Sequence, residues 1–253
     1  MRFRYALCFL VLAATAQADW AIISSASEPG RGGMVHKHVV LENAAGSGRV
    51  AVDLAIFSTK SCTLRILQNE GGVNSLAEVM KHEKCLAGVN GGYFDEKFAP
   101  IGLRIANEQM IAPVRRARLV TGILVAWARG VQIVRAREFS RRSGVTAAIQ
   151  CGPFLVERGQ PIGGLNDSNV ARRTFAATTT SSRALVGVCS EVSLAELSKI
   201  LATTSFAEDL RVERALNLDG GSSTGFWFAR ENGSAFSIPE QKPVRDSVGI
   251  VPK

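Results

Sequence analysis

The sequence predicts an α+β fold, a single compact domain of strand-rich mixed sheets carrying two to three helices. Short runs rich in valine and isoleucine recur along the chain, too short for helices and separated by glycine and polar clusters. Two segments open instead with Ser-x-x-Glu, the reciprocal pattern of a helix start. Two further apolar runs end in polar residues and paired glycines, Asn90-Gly91-Gly92 and Asn217-Leu218-Asp219-Gly220-Gly221-Ser222, which places bare backbone at strand ends.

Taken in order, Arg2 and Arg4, the apolar stretch 5–14 and Ala16-Gln17-Ala18 read as a secretory leader over residues 1–18. The stretch is well short of the roughly 20 residues that span a bilayer, and no later run is longer. The expectation is therefore a periplasmic or secreted protein without a membrane span, its folded domain occupying residues 19–253. Strands are expected at 20–24, 35–41, 49–57, 63–67, 119–128, 131–135, 184–188 and 248–251. Residues 29–33 read as an ordinary loop. Helices are expected after Ser75 and Ser193, the second presenting Leu194, Leu197, Ile200 and Leu201 on one face. Residues 224–228 and 235–238, joined across Glu231-Asn232-Gly233, read as a hairpin.

The formal charge is +8, or +6 once the two leader arginines are subtracted. Basic residues are scattered in short groups such as Arg115-Arg116-x-Arg118 and Arg141-Arg142. Without a basic stripe interleaved with aromatics, a nucleic-acid partner is unsupported. Beyond Cys8 of the leader, Cys62, Cys85, Cys151 and Cys189 form an even set, and for an exported protein disulfides are the default. Of three connectivities, the pairing of neighbours in the chain, Cys62 with Cys85 and Cys151 with Cys189, is favoured. No Cys-x-x-Cys spacing points to zinc.

The Asp219-Gly220 step alone is as much a turn signal as a chemical one. Repetition shifts the balance, because several strand ends with polar side chains suggest one cleft built on loops. Asn90-Gly91-Gly92-Tyr93-Phe94, Pro100-x-Gly102-Leu103, Cys151-Gly152-Pro153-Phe154-Leu155, Arg173-Thr174, Asn217-Leu218-Asp219-Gly220-Gly221-Ser222-Ser223 and Pro243-Val244-Arg245 resemble, in order, the signatures of the phosphodiester glycosidase family. The resemblance covers roughly residues 35–251. It implies hydrolysis at a sugar anomeric carbon bearing a phosphodiester, with a carbohydrate or sugar-phosphodiester as partner.

That reaction wants a carboxylate beside an oxocarbenium-like centre. Asp219 is the first candidate, and Asp95 and Asp246, each adjacent to a matched motif, are the second. Phosphate wants a planar cation, and Arg173 and Arg245 stand at the matching positions. Asn90, Asn217 and Thr174, with Gly91, Gly92, Gly220, Gly221 and Ser222, complete the expected binding set. No cofactor is indicated, and a divalent metal stays open.

Three rival readings are weaker. Ser223 satisfies Gly-x-Ser-x-Gly, but an α/β-hydrolase places its histidine after the serine, and His36, His38 and His82 all precede it. His36-x-His38 lacks metal-ligand partners nearby in sequence and is expected to face solvent. A glycan-binding protein without activity would keep the same arginines and aromatics, so sequence does not separate it from an enzyme.

Overall fold

The computed structural model describes residues 19–140, 143–208 and 210–253. The expected leader and the Arg141-Arg142 pair lie outside the described residues. In chain order the first elements are β1 (Trp20–Pro29), β2 (Val35–Asn43), β3 (Arg49–Ser58), β4 (Cys62–Gln68), α1 (Leu76–His82) and β5 (Ala87–Asn90). There follow β6 (Arg104–Ala106), β7 (Gln109–Ala112), β8 (Gly122–Trp127), β9 (Gly130–Arg135), β10 (Val145–Cys151), β11 (Phe154–Glu157) and β12 (Gln160–Pro161). The last are β13 (Ala171–Thr179), β14 (Arg183–Val192), α2 (Leu194–Thr203), β15 (Val212–Asn217), β16 (Phe226–Ala229), β17 (Ala235–Ile238) and β18 (Asp246–Pro252).

These strands make an eight-stranded sheet, β1-β2-β3-β14-β13-β15-β11-β12, and two five-stranded sheets, β7-β6-β10-β8-β9 and β17-β16-β5-β18-β4. Every ladder among the described residues is antiparallel, so the sheets are not mixed as expected. The physical reason is the scarcity of helices: parallel neighbours need long crossovers, usually helical, and only two α-helices are present among the described residues. No helix among them is long and apolar enough to cross a membrane.

Both helices begin where the capping boxes placed them. Ser75 Oγ accepts from the Glu78 N–H at 3.3 Å while the Glu78 carboxylate accepts from the Ser75 N–H at 2.7 Å. Ser193 and Glu196 repeat the exchange at 3.1 and 3.3 Å. Each such cap stabilises its helix by about 1 kcal/mol. Leu197, Ile200 and Leu201 of α2 are wholly buried against Val52, Leu155 and Phe175 of the large sheet. Each contributes about 2 kcal/mol by leaving water.

A second core draws on all three sheets at once, through Ala55, Ile149 and Phe226. Its position makes the strand ends of different sheets neighbours. The hairpin of β16 and β17 forms as expected, in the register Phe226↔Ile238 to Ala229↔Ala235. The strand expected from residue 119 starts only at Gly122, and Leu119 is 70% exposed. A turn in which the Val120 N–H donates to the Ala117 carbonyl precedes it.

Two expectations are corrected by packing. All four cysteines are free and buried. Cys62 and Cys151 sit in the three-sheet core, Cys189 in the core beneath α2 and Cys85 in the one beneath α1, so each expected pair is split between different cores. Spacing along the chain carried no information about which face each thiol would occupy.

His36 does not face solvent. It is 4% exposed between the large sheet and the β16–β17 hairpin, stacked on Phe236 at 4.5 Å. Its Nδ1 contacts Glu28 Oε1 at 2.7 Å and its Nε2 contacts Asp53 Oδ1 at 2.8 Å. Two carboxylate acceptors require both ring nitrogens to donate, which is the imidazolium form. Burial opposes that charge, but the hydrogen bonds to Asp53 and Glu28 win and raise the His36 pKa. His38 is half-exposed, its Nδ1 also reaching Asp53 at 3.0 Å, and His82 is exposed on α1.

Candidate functional site

The two glycine motifs meet through their backbones. The Asp219 N–H donates to the Gly91 carbonyl at 3.0 Å, and the Gly91 N–H donates to the Asp246 carbonyl at 2.8 Å. The glycines are needed for closeness, since a Cβ on Gly91 would stand 1.8 Å from Asp246 Oδ1 and one on Gly92 2.2 Å from Arg104 Nη2. Gly220 likewise has the Arg172 carbonyl 2.8 Å from where its Cβ would be, which brings β13 against the Asp219 turn. Gly221 is required for its backbone alone, at φ +62° with open space around it. Ser222 contributes its carbonyl, which accepts from Gln241 and Lys242 and fixes the loop before β18.

Asn90 is wholly buried and fully engaged. Its Nδ2 donates to the Asp219 carbonyl at 2.7 Å, while its Oδ1 accepts from Thr174 Oγ1 at 2.7 Å and from the Gly225 N–H at 3.1 Å. Asn217 is similar, its Nδ2 donating to Tyr93 Oη, the Gly152 carbonyl and the Leu218 carbonyl. Its Oδ1 is buried without a partner among the described residues. Asn90 and Thr174 therefore brace the motifs, and Asn217 does so through its Nδ2 while its Oδ1 stays unengaged.

Asp246 is a buried ion pair. Arg104 Nε donates to its Oδ2 at 2.7 Å and the Gly92 N–H to its Oδ1 at 2.9 Å, with both side chains almost fully buried. The rest of the Arg104 guanidinium donates to the carbonyls of Leu103, Gln150 and Tyr93. Sequence reasoning missed Arg104 and Gln150. The available signal was a charged or amide side chain inside an apolar run, Leu103-Arg104-Ile105 and Ile149-Gln150-Cys151, which folding tolerates only with partners.

Asp219 differs from Asp246. It is half-buried, and its carboxylate accepts from the Gly220 N–H at 2.9 Å. Burial raises its pKa, and the neighbouring Asp246 adds to the rise, against the Ser223 hydroxyl, the Gly220 N–H and Arg104. Tyr93 is pushed up as well, chiefly by burial and then by the nearby Cys151 and Asp219.

Arg173, buried on β13, donates through Nε to the Val192 carbonyl at 3.0 Å and through Nη2 to the Asn169 carbonyl. It has no carboxylate partner among the described residues, and burial lowers its pKa. Arg245 turns elsewhere, to Gln68 Oε1 at 3.3 Å and Glu70 Oε1 at 3.6 Å. Asp95 lies in an exposed loop, where its Oδ1 accepts from the N–H groups of Lys97 and Ala99 and closes a turn. The structure thus gathers Asn90, Gly91, Gly92, Arg173, Thr174, Asn217, Asp219, Gly220 and Asp246, and leaves Asp95 and the Arg245 guanidinium outside the cluster. Among the described residues no group of three or more His, Cys, Asp or Glu is arranged to hold a metal ion.

The fold is similar to that of several known structures. The zebrafish N-acetylglucosamine-1-phosphodiester alpha-N-acetylglucosaminidase catalytic domain, auto-inhibited by its pro-peptide, superposes with a TM-score of 0.65 at 15% identity, over 90% of this chain and 87% of that one. A hypothetical protein from Synechocystis gives 0.59 at 14% identity, over 87% and 62%. A putative exported protein from Burkholderia pseudomallei K96243 gives 0.54 at 13% identity, over 81% and 75%. In sequence, the uncharacterized protein YigE of Escherichia coli K12 is 31% identical over 91 residues, which span 33% of this chain and 36% of that relative. The phosphodiester glycosidase family profile matches residues 83–251, more than half of the chain and every motif from Asn90 to Arg245. The chain belongs to the phosphodiester glycosidase family.

Proposed function

We propose that the protein is an exported hydrolase that cleaves the glycosidic bond of a sugar-1-phosphodiester, with Asp219 as its principal carboxylate. The observation that carries the reading is the contrast between two aspartates on one floor: Asp246 is consumed by Arg104, whereas Asp219 is half-buried with no cation bonded to it among the described residues. A carboxylate in that setting stabilises positive charge developing at an anomeric carbon more strongly than one in open water. Breaking the C1–O bond releases the phosphate as a monoester anion, which needs little acid assistance, and water supplies the new anomeric hydroxyl. Arg173, a buried cation without a carboxylate partner among the described residues, supplies the charge that phosphate requires. Asn90 and Thr174 hold the Asp219 turn from behind. Export rests on the leader pattern of residues 1–18.

The test is sugar release from a panel of chromogenic and nucleotide-linked sugar-1-phosphodiesters by the wild type and by Asp219→Asn. Turnover by the wild type, lost in the variant, is expected. A wild type inert across the panel overturns the enzymatic reading, and a fully active variant overturns the choice of Asp219.

A further inference from the structure

Between β7 and β8 the chain passes through residues 113–119 without regular structure, and every one of them is exposed. The segment reads Pro113-Val114-Arg115-Arg116-Ala117-Arg118-Leu119, three arginines between two branched apolar side chains. Leu119 is 70% and Val114 40% exposed, and on β7, the outermost strand of its sheet, Met110 and Ile111 are 42% and 37% exposed. None of the three guanidinium groups is ion-paired among the described residues. Bare apolar side chains grouped with polar ones mark an interaction surface rather than ordinary solvent-facing chain.

The segment is firmly attached at its base. Gln150 Oε1 accepts from the Arg115 N–H at 2.9 Å, and its Nε2 donates to the carbonyls of Arg115 and Val120 at 2.6 and 2.9 Å. The Leu119 carbonyl lies 2.2 Å from where a Cβ on Gly152 would stand, and the Gly152 carbonyl accepts from Tyr93 and Asn217. The exposed side chains are thus presented from a fixed backbone beside the cluster that contains Asp219.

We propose that residues 110–119 form a docking surface for an anionic lipid bilayer. Arg115, Arg116 and Arg118 attract the anionic headgroups, and Val114 and Leu119 enter the boundary between headgroups and acyl chains. A polyanionic glycan would engage the arginines and leave the apolar side chains without a role, which favours the bilayer. The surface goes beyond the sugar-phosphodiester reading and does not depend on it.

The experiment is flotation of the protein spanning residues 19–253 with vesicles of phosphatidylcholine alone or mixed with phosphatidylglycerol. Binding to the anionic vesicles only, weakening as salt rises, is expected. The triple variant Arg115→Gln, Arg116→Gln, Arg118→Gln should bind on the order of a hundredfold more weakly. Val114→Asn with Leu119→Asn should retain only a weak binding that moderate salt abolishes. All five positions are exposed, so unchanged thermal melting serves as the folding control. No binding to anionic vesicles, equal binding by the triple variant, or retention on a polyanionic glycan such as heparin without vesicle binding would overturn the proposal. Flotation needs no turnover, so failure here is distinguishable from failure of the Asp219 reading.

Discussion

The Asn90 side-chain amide donates to the main-chain carbonyl of Asp219 at 2.7 Å, across 129 residues of sequence. One glycine motif therefore holds the other, and the Asp219 carboxylate is aimed by a side chain that itself has no access to solvent.

Replacing Asp219 by Asn should separate chemistry from stability. The amide can still accept from the Gly220 N–H, but it carries no charge. Sugar release should fall by about 10²- to 10⁴-fold. The melting temperature at neutral pH should rise, because a partly buried carboxylate no longer has to be ionised.

The same raised pKa sets the acid limb of the rate profile. If the ionised carboxylate is the working form, kcat/KM should decline as pH falls through a value above the ordinary 3.8 of an aspartate. Stability should move the other way. The native state holds this proton more tightly than the unfolded chain, so the Asp219 contribution improves as pH falls through the raised pKa. Paired rate and melting profiles, with Asp219→Asn as the reference, check both signs.

His36 should produce a second pH dependence of stability. Its folded pKa lies above the usual 6.5, so the stabilisation it brings is complete below about 6.5 and is lost as pH rises through the raised value. Glu28 and Asp53 face the ring directly, His38 shares Asp53, and Arg230 shares Glu28. Asp53→Asn should cost about 3 kcal/mol in chemical denaturation, since it leaves a buried cation half-paired. It should also flatten the alkaline slope seen in the wild type.

Gly91→Ala should be severe. Its new methyl group would collide with Asp246 Oδ1 at 1.8 Å, and neither the ion pair with Arg104 nor the adjoining β18 backbone has room to withdraw. A loss of about 3 kcal/mol or more in denaturant unfolding is expected. Gly221→Ala, which meets no neighbour within 4 Å, should cost only the strain of its positive φ.

The four thiols should be silent in the folded protein. Burial pushes Cys85 and Cys151 up to about 12 and raises Cys189 as well, so none of these three is a thiolate near neutral pH, while Cys62 is shut in the three-sheet core at 2% exposure. Alkylation followed by mass measurement should label none of the four natively and all of them in denaturant. Dithiothreitol should leave the melting temperature unchanged.

What was legible in the sequence was local. The capping boxes at Ser75 and Ser193 and the turn between β16 and β17 are decided within a few residues, and all three formed where expected. The floor of the candidate site was half legible, because a glycine needed for close approach announces itself without naming its partner. Asp246 meets Arg104 across 142 residues, and nothing in either motif encodes that distance. The burial of His36 and the separation of the cysteines depend on how sheets stack, which the alternation of one strand does not carry.

Arg104 ties one small sheet to the other through Asp246, and reaches the Gln150 carbonyl at the end of β10 with the same guanidinium. The floor that results is shared by both small sheets. A change at Arg104 therefore reaches both small sheets and the end of β10 at once, which a substitution confined to one strand would not do.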